Sequence, residues 1–193
     1  MTTHDRRTAI LDAALACFVE SGLAGASIED VRGRSGASVG SIYHHFGGRE
    51  GLAGAVYVRA LAGYQDVFTA AVTTHDDAEA GVRAAVAAHL RWCLSDRPDA
   101  ARFLLFCGDA ARAAAADRLG EQNRAFFRTV VGWWRRRVAD GALQDLPVTV
   151  LYALWLGPAQ EYCRLELAGR STTDPDVAAA ALAEGAWRAL RRG

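Results

Sequence analysis

The segment Gly36-Ala37-Ser38-Val39-Gly40 has the spacing GxSxG, which in one class of hydrolases lifts a nucleophilic serine onto a strained turn between a buried strand and a helix. The chain before Ser38 does not supply that strand. Ile28 to Ser35 carries Glu29, Asp30, Arg32 and Arg34 and reads as a helix begun at Ser27. A serine hydrolase built on Ser38 is therefore kept only as a lesser alternative, and the chain is expected not to be an enzyme. His89 and Cys93, at i and i+4, offer two metal donors on one helix face, but a structural zinc site takes four, so neither a metal nor a cofactor is expected. None of the 22 basic residues is lysine, which removes Schiff-base chemistry and the GxxxxGK phosphate loop together. Cys17, Cys93, Cys107 and Cys163 form no CxxC pair and read as reduced, buried thiols of a cytoplasmic protein.

The 193 residues carry 22 basic and 22 acidic side chains, so any nucleic-acid footprint must be local. Between Asp30 and Glu50 there is no acidic residue, while Arg32, Arg34 and Arg49 lie in that window with His44 and His45. The elements that must position this window are helices, because apolar residues recur at three and four throughout and never alternate at two for long. Ile10, Ala14, Cys17 and Phe18 stripe a first helix that Gly22 can end. Ser27 with Asp30 forms a capping pattern for a short second helix, Gly36 permits a sharp turn, and Ser38 caps a third helix through His45. Two short helices joined by a tight turn are helix-turn-helix geometry.

Ala9 to Leu52, and above all Ser38-Val39-Gly40-Ser41-Ile42-Tyr43-His44-His45-Phe46, resembles the DNA-binding segment of the tetracycline-repressor (TetR) family. The resemblance implies an all-α chain, with a three-helix helix-turn-helix domain over 1–47 and a helical ligand-binding and dimerisation domain over 48–193. It places Ser27, Ser38, Ser41, Tyr43 and Arg49 at phosphate-contacting positions and Val39, Gly40 and His44 at positions facing base edges. The side chains suit those roles: hydroxyls and a guanidinium can hold a backbone, and Val39 can touch a thymine methyl. Arg32 departs from the family pattern, standing where a small residue is usual, and must reach outward to solvent. Arg49 replaces a habitual lysine, and Gly33 weakens the second helix.

Beyond Gly48 the pattern predicts helices over about 49–73, 77–95, 99–114, 116–140, 147–169 and 175–191, with Gly108 a break and Gly157-Pro158 a kink. His89 and Asn123 put polarity on apolar faces, and with Trp92, Phe103, Phe127 and Trp155 they are the candidate lining of a pocket for an apolar or aromatic effector. Each, taken singly, is more often met as a hydrogen-bonded or packed core residue. Leu151, Ala159, Tyr162, Ala180, Ala183, Trp187 and Leu190 on the last two helices are the candidate homodimer interface, since small residues let helices approach and Trp187 can anchor them. No apolar stretch is expected to span a membrane. The function implied is a ligand-responsive transcriptional regulator, a repressor that binds a palindromic DNA operator as a dimer and leaves it when a small molecule binds. A helical ligand-binding or scaffolding dimer without DNA binding is the main alternative.

Overall fold

The computed structural model describes residues 3–193, which form eleven α-helices and one π-helical turn among the described residues. The helices are α1 (Thr3–Gly25), α2 (Ile28–Ser35), α3 (Val39–Phe46), α4 (Arg49–Thr73), α5 (Ala78–Arg91), α6 (Pro98–Phe106), α7 (Gly108–Ala114), α8 (Ala116–Ala139), α9 (Val148–Trp155), α10 (Gly157–Leu167) and α11 (Pro175–Leu190). The break expected near Gly108 is present, whereas at Gly157-Pro158, where the sequence predicts a kink within one helix, α9 ends at Trp155 and α10 begins at Gly157. A break in α1 also lies at Gly22, whose φ of 71° leaves the helical region. Residues Trp92–Asp96 continue α5 as a π-helical turn. The β structure among the described residues is an isolated antiparallel bridge between Leu143 and Arg191.

Packing divides the chain into two compact units, residues 3–62 with 99–120 and residues 63–98 with 121–193. The first thus gathers 48–62 and 99–120 with the N-terminal helices, a division other than the one read at residue 47. Its core joins Ile10, Leu11 and Phe18 of α1, Val31 of α2, Ile42 and Phe46 of α3, Leu52 and Val56 of α4, and Phe103 of α6. Phe18 and Phe103 stack with ring centroids 5.8 Å apart. Asp5–Gly25 is long and apolar enough to cross a bilayer, contrary to the reading from sequence, but here its stripe from Ile10 to Phe18 is core.

In the second unit α5 packs on α10 and α11, and α11 packs on α9. Small residues make this close approach possible: α5 buries Ala78, Gly81, Ala85 and Ala88, and α11 buries Ala178, Ala183 and Ala186. Asp77 caps α5, its carboxylate accepting from the Ala80 amide at 2.7 Å. Arg83 bridges Glu79 on its own helix, at 2.7 Å, and Glu184 on α11. The segment before α9 is tied to the chain end, where the Gln144 amide group donates to the carbonyls of Ala189 and Arg191 at 3.2 and 3.1 Å.

Two glycines should respond oppositely to alanine. A Cβ at Gly81 would lie 2.3 Å from the Trp133 ring, whereas at exposed Gly33 it would meet nothing within 4 Å. Gly81→Ala is expected to cost about 1–3 kcal/mol through overpacking. Gly33→Ala is expected to add about 0.5–1 kcal/mol through helix propensity. Urea unfolding of the two variants beside the parent checks both signs.

Candidate nucleic-acid interface and a buried thiol cluster

The two short helices are held by their ends. Ser27 and Asp30 form a reciprocal capping box: the Asp30 amide donates to Ser27 Oγ at 3.1 Å, and the Ser27 amide and hydroxyl donate to Asp30 Oδ2 at 2.9 and 2.6 Å. Ser38 Oγ accepts the Ser41 amide at 3.1 Å and so starts α3. Gly36 (φ 68°) and Gly47 (φ 74°) take the left-handed conformation that closes α2 and α3, each returning its amide to a carbonyl of the helix it ends. Ser38 therefore sits between two helices with its oxygen engaged in a cap. This is not the strand-to-helix context that the GxSxG reading requires.

Helix α3 is two-faced. Ile42 and Phe46 are fully within the core, while Ser38, Val39, Gly40, Tyr43 and His44 are exposed, Tyr43 by 53%. Ser41 is half-buried at the edge of this face. The sequence reading thus has its base-facing residues, Val39, Gly40 and His44, together on one accessible side.

The arginines are arranged differently from a bare positive window. Arg34 forms a two-pronged pair with Glu20 of α1, at 2.8 and 2.7 Å, and Arg32 pairs with Glu29 at 2.6 Å, its chain directed outward as expected. Arg49 donates to the carbonyl of Ala24 at 3.1 Å and that of Ala26 at 3.5 Å, bracing the α1–α2 connection. Arg7, not singled out from the sequence, lies with its guanidinium 5.5 Å from the centre of the Phe46 ring and puts a cation beside α3. Only folding brings α1 and the end of α3 together, so no local pattern announces that contact.

The candidate effector residues have different surroundings within the two units. Phe103 belongs to the core of the first unit, and Phe127 is 52% exposed. In the second unit Trp155 is buried, donates from Nε1 to the Val82 carbonyl at 3.1 Å and packs on Phe68 and Trp133. Asn123 accepts from the buried Gln65 amide at 2.7 Å. The open groove next to this pair, about 380 Å³, is lined by Gln65, Thr69, Thr73, Phe126 and Thr129 among others. Trp92 is buried against Tyr64, with ring centroids 5.2 Å apart.

His89 is buried in a polar cluster that the sequence reading only half saw. Its Nδ1 lies 2.9 Å from the Tyr64 hydroxyl and its Nε2 lies 3.9 Å from Cys93 Sγ. Cys163 of α10 joins them, so that the nearest donor atoms of His89, Cys93 and Cys163 fall within 4.8 Å of one another. The hydrogen bond from Cys93 draws the Cys163 thiol down to about 6, with His89 adding to the effect, and the same bond together with burial pushes Cys93 up. Burial raises the Tyr64 phenol. Tyr64 comes from α4 and Cys163 from α10, so the spacing of His89 and Cys93 alone could not reveal either partner.

The candidate dimer residues divide as well. Leu151, Ala159, Ala183 and Leu190 are buried within their own unit. Tyr162 is half-buried with its hydroxyl donating to the Thr173 carbonyl at 3.2 Å, Trp187 is half-buried, and Ala180 is exposed. The sequence missed the outer residues Val148, Val150, Tyr152 and Leu154 of α9 and Val177 of α11, all exposed and apolar. Helical periodicity names an apolar face without saying what covers it.

A short capped helix pair presenting one side of its second member is the architecture of a helix-turn-helix DNA-binding regulator. Residues 10–56 match the family described as bacterial regulatory proteins, tetR family. That match falls on the N-terminal module, from α1 into α4. Among solved structures, a TetR-family transcription regulator from Marinobacter aquaeolei VT8 superposes with a TM-score of 0.81 at 17% identity, over 97% of this chain and 96% of its own. The fatty acid degradation regulator FadR from Bacillus halodurans gives 0.79 at 14% identity, over 94% of both chains. The TetR-family regulator PfmR from Thermus thermophilus gives 0.72 at 22% identity, over 93% of this chain and 97% of its own. The whole chain therefore has the fold of TetR-family transcription regulators. No curated protein sequence matches it.

The capping box carries a pH dependence with a definite sign. Its hydrogen bonds with Ser27 hold the Asp30 carboxyl below its ordinary value of 3.8. A depressed carboxyl contributes stability above its unfolded pKa and loses it as pH falls through the folded one. Asp30→Asn is expected to lower the thermal midpoint at pH 7 and to show a smaller further drop on acidification from pH 5 to below 3.8 than the parent. An unchanged acid response would remove the box from the stability of α2.

Proposed function

We propose that this protein is a dimeric, ligand-responsive transcription regulator that reads a palindromic operator through α3 and represses by occupying it. The observation that carries the reading is the exposed side of α3, where Val39, Gly40, Tyr43 and His44 stand opposite the buried Ile42 and Phe46. On this reading Tyr43 and the hydroxyls of Ser38 and Ser41 hold phosphates, while Val39, Gly40 and His44 meet base edges. Ser38 does so from a cap in which its oxygen only accepts, whereas the Ser27 hydroxyl gives its proton to Asp30 and serves to start α2. Arg49 acts mainly by bracing the α1–α2 connection, and Arg7 supplies a cation beside the reading helix. The helices after residue 47 respond to the effector, and the protein works in the cytoplasm, where its operator is.

The dimer part of the proposal rests on α9. Its sequence, VTVLYALW, is apolar nearly all round, yet only Leu151 and Trp155 are buried. A helix apolar on every side belongs inside a core, and a second copy would supply the missing half. On α11, which packs on α9, Val177 and Ala180 are exposed as well and Trp187 is half-buried. The effector part is supported by the groove beside Gln65 and Phe126, which joins an aromatic wall to polar groups. An effector there would act by binding the DNA-incompetent arrangement more tightly, with coupling of about 1–3 kcal/mol.

Selection of bound sequences from a random duplex pool should return a palindrome. On it, Tyr43→Ala should weaken binding by a similar factor for every sequence, whereas His44→Ala or Val39→Ala should change the preferred bases, by about 1–3 kcal/mol at the affected position. Folded variants of both kinds that bind like the parent would rule α3 out as the reader.

In sedimentation at micromolar concentration, the chain should run at twice its 20.6 kDa. Tyr152→Arg combined with Val177→Arg should yield monomers and lose operator affinity with them. A parent chain that is already monomeric ends the dimer proposal.

A further inference from the structure

The cluster of His89, Cys93 and Cys163 has the make-up of a metal site, and we propose that it binds one soft, thiophilic cation of low coordination number, Cu(I), through two thiolate sulfurs and one imidazole nitrogen. Three separate pieces of the second unit bring the donors together: α5 gives His89, the π-helical turn gives Cys93 and α10 gives Cys163. All three residues are buried. A triangle with the observed 3.9 Å separation of Cys93 Sγ and His89 Nε2 as its edge has its centre about 2.25 Å from each corner, close to the length of a metal–sulfur bond. The wider separations, up to 4.8 Å, close to such lengths with movements of about half an ångström.

The donor set also selects the ion. Sulfur with imidazole suits soft or borderline cations. Zinc in structural sites is almost always four-coordinate, and no fourth His, Cys, Asp or Glu joins this group among the described residues. The Tyr64 hydroxyl is no substitute, because it sits on the opposite ring nitrogen at 2.9 Å. There it does what an outer-shell partner does: with Nδ1–H donating to the Tyr64 oxygen, the Nε2 lone pair is turned towards the two sulfurs. Uptake of the ion releases the thiol protons to solvent. The π-helical turn is a further sign, since such local departures from α-helix recur at functional sites, and here it begins at Trp92, beside the ligand Cys93.

The test is a titration of the reduced full-length chain, without oxygen, against Cu(I) held as its coloured bicinchoninate complex. The chain should withdraw one equivalent and develop thiolate-to-copper absorbance in the near ultraviolet. Cys93→Ser and Cys163→Ser should each abolish the withdrawal, while the double variant Cys17→Ser with Cys107→Ser should keep it. Tyr64→Phe should lower affinity by about tenfold and leave the stoichiometry at one. X-ray absorption of the loaded native chain should report two sulfur neighbours and one nitrogen, a readout that depends on no variant. Failure of the folded chain to withdraw copper, a different ligand count, or undiminished withdrawal by the double variant Cys93→Ser with Cys163→Ser would each overturn the assignment. None of these results depends on whether the protein binds DNA.

Discussion

An eight-residue helix has too few internal hydrogen bonds to persist alone in water, and α3 is such a helix. Its existence depends on burying Ile42 and Phe46 against α1 and α4, in the cluster that also holds Phe18 and Leu52. Every property of its outer side follows from that burial. The direction of Tyr43 and His44 is set by the two anchors beneath them, and the position of the first turn is set by the Ser38 cap. The backbone turns at Gly36 and Gly47 let so short an element be both started and stopped sharply. Helix α2 is built on the same terms, with Val31 as its buried residue and the Ser27–Asp30 box at its start.

Much of this was open to reading from the sequence because the interactions concerned are local. A serine followed three residues later by Asp30, a glycine after Ser35, and apolar residues at three and four each specify an arrangement within one or two turns. Helix limits, the break near Gly108 and the interruption at Gly157-Pro158 belong to this kind. Partners across the fold do not. Periodicity marked Leu151, Ala159, Ala183 and Leu190 as apolar, but they are spent inside their own unit, and Phe103 went to a different core from His89 and Trp92. The positive window between Asp30 and Glu50 was read from charges within it, while the carboxylates of Glu20 and Glu29 that pair with Arg34 and Arg32 lie outside it. Asn123 was recognised as unusual on its face, and its partner Gln65 was not.

The second unit is governed by the size of its side chains. Helix α5 offers alanine and glycine where neighbours approach, which leaves room for the large indoles of Trp133 and Trp155, whose rings stack 5.9 Å apart. Those rings satisfy their own N–H groups on the His75 and Val82 carbonyls. Part of the buried polarity is paired, as in Gln65 with Asn123 and Tyr64 with His89, whereas Trp134 Nε1, Arg137 Nε and Glu166 Oε2 are buried without a hydrogen-bond partner among the described residues, and Trp92 and Trp155 are packed within the unit. Exposed apolar residues remain on α9, with Phe127 of α8 and Val177 of α11 besides.

The internal commitments of the arginines bear on how strongly ionic strength should control binding to a duplex. Affinity for DNA falls with salt in proportion to the phosphates neutralised, at a slope of about −0.9 per phosphate, because each neutralisation frees a condensed counterion. An arginine already neutralised by Glu20 or Glu29 must trade one anion for another and contributes little to that release. Hydroxyl contacts from Ser38, Ser41 and Tyr43 contribute none. On the proposed reading, this protein's hold on its operator is therefore less sensitive to salt than the number of arginines between Asp30 and Glu50 suggests, and a larger share of it comes from neutral hydrogen bonds and fit.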